Sequence, residues 1–231
     1  MSRVRLQHSK KSFSIFVIIT LIFVSILFIQ IAGAAFVRLG IPPWLALIIV
    51  PGSLIGSMVN IPAFKVASEE KRCEQEYITF FGLSYRVVPS DCPGETQINV
   101  NLGGAIIPVL VSGYLLISNV DSILPALLGI TIVSVIVKSI ARVKPEVGIV
   151  TPGLLPPLIS AIVAVLLVAF FGPALNAYVL AYVSGTLGTL IGADLLNIPN
   201  LGELQTDEAS IGGAGTWDGI FLSGLLAVFL V

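Results

Sequence analysis

The chain alternates between long apolar runs and short polar joints. Seven apolar segments stand out: Phe13–Val37, Trp44–Ile61, Leu102–Ser118, Ile123–Ser139, Leu154–Gly172, Ala174–Leu196 and Gly212–Val231. Most reach the roughly 20 residues a helix needs to cross a hydrocarbon core of about 30 Å, some only just. Backbone N–H and C=O groups find no water there, so each segment is expected to be helical. One polar stretch, residues 65–97, interrupts the series. Within it Tyr77–Val88 predicts two short strands around Gly82, a small cytoplasmic β-hairpin. The expected fold is all-α: a polytopic transmembrane helix bundle of about seven spans, one integral membrane domain over residues 1–231.

Composition strengthens this picture. Apolar residues make up 56% of the chain and charged residues 11%. Mean hydropathy is +1.02. A soluble domain carries roughly a quarter charged residues, so this chain cannot cover a water-facing surface and its expected partner is the lipid bilayer. The net charge of −1 excludes nucleic acid as a partner, because phosphate binding needs a basic excess.

The placement of Lys and Arg sets an expected orientation in the cell membrane. With the N-terminus in the cytoplasm, Arg3, Arg5, Lys10, Lys11, Lys65, Lys71, Arg72, Arg86, Lys138, Arg142 and Lys144 all fall inside. That is 11 of the 12 basic residues, with only Arg38 outside, as the positive-inside rule requires. Seven spans then leave the C-terminus, Val231, outside. The basic tail and first apolar run could form a cleavable signal peptide ending near Ala32-Gly33-Ala34. Signal cores run about 7–15 residues and this one is about 19, which favours a retained helix. Cys73 and Cys92 read as free cytosolic thiols, since a disulfide would need an oxidising compartment.

The chain is self-similar. Gly52-Ser53-Leu54-Ile55-Gly56 is followed by Asn60-Ile61-Pro62, and Gly188-Thr189-Leu190-Ile191-Gly192 by Asn197-Ile198-Pro199. Gly103-Gly104-Ala105 leads to Ser112-Gly113, and Gly212-Gly213-Ala214 leads to Ser223-Gly224. Four words in the same order imply duplication: a first three-helix repeat over 12–118, a linker helix within 119–145, and a second repeat over 151–231. Three helices plus one keep both copies in the same orientation, a parallel 3+1+3 repeat of the kind some transporters use. The structural alternative is that duplication merely builds a stable bundle, for which the glycines and serines suit close packing in lipid.

The copies differ where acids enter. The first Gly to the Pro spans 11 residues in the first copy (52–62) and 12 in the second (188–199). The step from Gly-Gly to Ser is 9 in the first copy and 11 in the second. The added residues fall near Ala193-Asp194 and within Gly215-Thr216-Trp217-Asp218. An inserted residue can open a π-bulge, a feature frequent at functional sites. Of the 13 acids, Asp194 and Asp218 are the two expected well inside spans. Acids there usually mark function, and two close carboxylates share a proton or bind a cation. The expected site is Asp194 and Asp218, with Asn197, Asn101 and Thr216 as polar neighbours and Gly213 and Gly215 in a broken start to the last helix. In the plainer reading Asp194 reaches the interface beside Asn197 and Asp218 caps a helix. No metal spacing such as C-x-x-C, no Walker loop and no cofactor signature is present, and the lone His8 lies in the tail.

The stretches Gly188–Asn197 and Ser210–Gly224 resemble the signatures of an uncharacterised family of prokaryotic multi-spanning membrane proteins, catalogued only as a domain of unknown function. Asn101–Val109 and Gly148–Gly153 fit it too, and the resemblance runs from about residue 40 to the end. It implies an integral membrane protein and no particular activity. A weaker likeness is to presenilin-type intramembrane aspartyl proteases, which carry one Asp on each of two consecutive helices, the second in a Gly-x-Gly-Asp word. Here Thr216-Trp217 separates Gly213-Ala214-Gly215 from Asp218, and Pro173-Ala174-Leu175 precedes the acids instead of following them.

Three functions remain open on sequence alone. One is a transporter-like protein moving a proton, cation or small solute through the paired acids. Another is an aspartyl protease, in which one carboxylate acts as base and the other as acid. The third is a non-catalytic scaffold whose hairpin binds a cytosolic partner.

Overall fold

The computed structural model describes residues 10–67, 76–80, 83–87, 95–144, 148–204, 206, 208–213 and 219–231. His8, Cys73 and Cys92 lie outside them. The chain divides within its second helix, at Pro51, into two units, Met1–Pro51 and Gly52–Val231.

The first unit holds α1 (Lys10–Arg38) and most of α2 (Pro43–Gly56). α1 is apolar on every face, and its outer residues from Phe13 to Leu27 are exposed. Thr20 and Ser25 donate their hydroxyls to the carbonyls of Phe16 and Leu21, one turn back. Each of these hydroxyls thereby finds its acceptor within the helix, as an apolar surrounding requires. Pro43 opens α2, where its missing N–H costs nothing, and Pro51 lies inside the helix and removes a backbone bond there.

In the second unit α3 (Ile107–Ser118), α4 (Ile123–Ile140), α5 (Leu155–Phe171) and α7 (Gly219–Leu230) surround α6 (Ala177–Thr189). Asn176 caps α6, its side chain accepting from the N–H groups of Tyr178 and Val179. Ten of the 13 residues of α6 are buried. Small residues permit this: Gly185 meets Gly224 and Ser223, Gly188 meets Val133, and Gly192 meets Ser134 and Val137. Thr189 and Ser223 share a buried hydroxyl–hydroxyl bond of 3.0 Å between α6 and α7.

The chain is mostly helical, but it carries a small sheet that an all-α reading omits. β1 (Asn60–Ala67) pairs antiparallel with β4 (Glu95–Asn101), and β4 pairs parallel with β7 (Glu208–Ile211) in the register Gln97↔Glu208 to Val100↔Ile211. The second apolar segment therefore ends as a helix at Gly56, and Asn60-Ile61-Pro62 belongs to a strand. Between the last two apolar segments lies a 3₁₀ stretch, Leu195–Leu204, followed by β7. The expected hairpin is present as β2 (Glu76–Phe80) and β3 (Leu83–Val87), paired antiparallel. A further short antiparallel pair, β5 (Arg142–Lys144) and β6 (Gly148–Val150), follows α4.

Seven apolar helices correspond one to one with the seven apolar segments, among the described residues. Three are long and apolar enough to cross a membrane: Phe13–Arg38, Val120–Ile140 and Ala177–Leu201. The other four are shorter. Among the described residues α7 covers Gly219–Leu230, and Gly212, with a positive φ of 76°, ends β7 in a turn.

Candidate functional site

Two π-helices sit where α3 begins and α6 ends. One spans Leu102–Ile106 and the other Leu190–Asp194. The second coincides with the extra residue of the second sequence copy and carries Asp194 at its last position. The first lies in the copy that has no acid, so an insertion does not account for it.

Asp194 is half-buried, and its Oδ2 accepts the backbone N–H of Gly212 at 3.0 Å. This bond ties the end of α6 to the turn that leaves β7. Only glycine fits at that turn. The φ of Gly212 is left-handed, and a Cβ there would meet the Ala105 amide nitrogen at 2.7 Å. The next residue, Gly213, lies against Asn101, whose side chain a Cβ would meet at 2.8 Å.

Asn101 is fully buried and uses both ends of its amide. Its Oδ1 accepts from Gly104 N at 2.8 Å and caps the first π-helix. Its Nδ2 donates to the Ser57 carbonyl at 2.7 Å and to Asn60 Oδ1 at 2.9 Å. Asn60 Oδ1 also accepts the Ser210 hydroxyl at 2.8 Å. Ser53 donates to the Gly103 carbonyl at 2.6 Å. A polar knot thus joins the end of α2, the start of α3 and the end of β7.

Asn197 lies apart from this knot. Its Nδ2 donates to the carbonyls of Gly192 and Ala193, closing the last turn of the π-helix, and its Oδ1 accepts from Lys138 Nζ. Lys138 also donates to the Leu196 carbonyl at 2.7 Å. Asn197 ends a helix and anchors it to α4. Its amide thus bonds the backbone of Gly192 and Ala193, the two residues before Asp194, and closes the turn that carries the acid.

Of the residues singled out from the sequence, the fold brings Asp194, Gly213 and Asn101 to one place, with Gly212 between them. Asp218, Thr216 and Gly215 lie outside the described residues. Asn60, Ser57, Ser210 and Lys138 belong to the surroundings and were not singled out. Asn60 carried a signal, since it opens a repeated Asn-Ile-Pro word, but its reading as the end of a span hid its place in a strand. Ser210 opens the Ser210–Gly224 signature stretch, but nothing in the sequence pairs it with Asn60.

A family model described as "Protein of unknown function (DUF1614)" matches residues 54–230. No curated protein matches the chain, and no solved structure matches it.

Proposed function

The chain belongs to the DUF1614 family of proteins of unknown function, and from that premise we propose that it is a polytopic cell-membrane protein of transporter type. In this reading Asp194 and Asp218 form a paired carboxylate site for a proton or cation near the cytoplasmic face, with the N-terminus inside and the C-terminus outside. One observation carries it. Asp194 ends a π-helix on the most enclosed helix, and its carboxylate is held by the Gly212 amide, at the head of the stretch that reaches Asp218 six residues later. A half-buried acid between helices of a membrane protein marks an ion or proton path more often than a structural contact.

The 3+1+3 duplication supports the same reading. β4 and β7 run parallel, and each leads into a Gly-Gly-Ala word, as two copies in one orientation require. Proteolysis is the weaker reading, because the Gly-x-Gly-Asp word is broken by Thr216-Trp217.

The test is flux in vesicles holding the full chain and a pH-sensitive dye, under an imposed membrane potential, with proton, sodium and potassium gradients tried in turn. Asp194→Asn keeps an oxygen for the Gly212 amide and so keeps the fold, but removes the charge. It is expected to abolish flux, whereas Asp121→Asn, on the exposed turn before α4, leaves it unchanged. Wild-type vesicles with no flux, or an Asp194→Asn protein as active as wild type, would sink the proposal.

A further inference from the structure

A cavity of about 240 Å³ lies between the two π-helices. Ala105 and Ile106 of the first and Leu190 of the second form its floor. Val100 and Ile211, the last paired residues of β4 and β7, form its sides. The walls present almost no polar surface. The depth of the cavity is closed, since Ala105, Leu190 and Ile211 are at most 8% exposed. The other end is open: Val109, Leu110 and Leu195 also line it and are 37%, 65% and 39% exposed.

Two arguments fix what such a cavity takes. A void of roughly 150 Å³ lined by alkyl groups stays dry and admits apolar guests, because water inside would forfeit its hydrogen bonds. This cavity is as apolar but open on one side, so it offers a polar solute no partner and takes whatever apolar medium meets its mouth. Its mouth lies on the exposed apolar face of α3, continuous with Leu110 and Ile117, and in a bilayer the medium on that face is lipid chain.

We propose that this cavity holds one acyl chain of a bilayer phospholipid, entering from the α3 face and ending between the two π-helices. A chain there touches Leu190 and Leu195, which flank the turn bearing Asp194, so its occupancy braces that turn. The proposal rests on the membrane-embedded reading of the chain and not on transport.

The experiment uses the full chain in nanodiscs of phosphatidylethanolamine and phosphatidylglycerol, doped with a phospholipid that carries a photoactivatable diazirine near the end of one acyl chain. Labelled positions are mapped by mass spectrometry. Leu158, Ile162 and Leu166 on the exposed face of α5 report general lipid contact. Labelling of peptides covering Ile106–Leu110 and Leu195 should exceed that of the α5 positions several-fold. Val109→Trp fills the mouth and should remove the excess while α5 labelling stays constant. Leu110→Trp serves if the first variant does not fold. A second arm replaces the phospholipid by a diazirine fatty acid of the same chain length. Even labelling of both regions, an excess that survives both tryptophans, or an excess seen with the fatty acid alone would each overturn the assignment. Absence of label from α5 as well would instead remove the membrane-embedded reading itself.

Discussion

At the scale of single residues, two glycines of one helical stretch make opposite predictions. A Cβ on Gly103 would overlap the Ser53 carbonyl oxygen and the Ser57 amide nitrogen. Both are backbone atoms and neither can turn aside. Gly103→Ala is therefore expected to cost about 3 kcal/mol, the upper end for overpacking, read as a lowered unfolding temperature in detergent. Gly113, in the interior of α3, has nothing within 4 Å of the same position. Gly113→Ala should raise stability by about 0.5–1 kcal/mol, because alanine loses less backbone freedom on folding. A second residue prediction concerns Asn101. In Asn101→Asp the cap on Gly104 survives, but an oxygen replaces the amide that donates to Ser57 and Asn60. The half-buried Ser57 carbonyl and the exposed Asn60 amide oxygen then face an acceptor, at about 1 kcal/mol in all, the low end, because water can reach them. Asn101→Asp should thus be less stable than wild type in thermal unfolding at neutral pH, and an equal midpoint would show the amide is placed otherwise. These residues also show what was legible. Asp194 and Asn101 could be picked from sequence because polar groups are rare in such a chain. The distant Asn101 partners could not, because they are a backbone carbonyl at Ser57 and an amide oxygen at Asn60, both more than 40 residues away.

At the scale of elements, the apolar pattern located every helix but misjudged several ends. The reason is physical. Hydropathy reports burial, whereas a helix ends where a residue cannot supply the next bond or angle. Gly212 ends β7 through its left-handed φ, and the chain leaves the helical path before Asn60 to pair with β4, though the apolar segments run to Ile61 and from Gly212. The π-helix at Asp194 was legible because the two sequence copies differ in length there. The one at Leu102 was not, since it involves no difference between copies. The end of the α6 stretch makes the element-scale prediction. Its last carbonyls are satisfied from outside, by Lys138 of α4 reaching the Leu196 carbonyl and by Asn197 folding back. A cation at a helix C-terminus also complements the dipole. Lys138→Met keeps the length and apolar stem but removes those donors. Because Lys138 is partly exposed, the expected loss is at the low end for charged hydrogen bonds, roughly 1–2 kcal/mol. Hydrogen exchange should show where it falls. Amides of Leu195–Leu204 are expected to exchange faster while those in the middle of α4 do not, and uniform acceleration across both would mean that Lys138 stabilises the bundle as a whole.

For the whole molecule the open quantity is how many helices cross the bilayer, and the two counts differ at one readable place. If all seven cross, residues 65–97 lie in the cytoplasm. If only the three long helices cross, α2 and α3 both turn back within the membrane, and the same residues lie outside. The chain ends on the same side in either case, so a terminal reporter cannot decide. The insert can, because it holds both cysteines of the protein, Cys73 and Cys92. The charge distribution favours the cytoplasm: Lys65, Lys71, Arg72 and Arg86 all lie in this segment, and moving four basic residues across an energised membrane is what the positive-inside rule opposes. The short helices are not an obstacle to crossing. α3 and its preceding π-helix together cover Leu102–Ser118, and a bilayer thins or a helix straightens to absorb a few ångströms of mismatch. A membrane-impermeant maleimide is therefore expected to leave the protein unlabelled in intact cells, with or without prior mild reduction, and to label both thiols once the membrane is opened. Labelling of intact cells after reduction would place the insert outside. It would also turn the two cysteines into a candidate disulfide, reduce the crossing helices to α1, α4 and α6, and undo the charge argument on which the orientation rests.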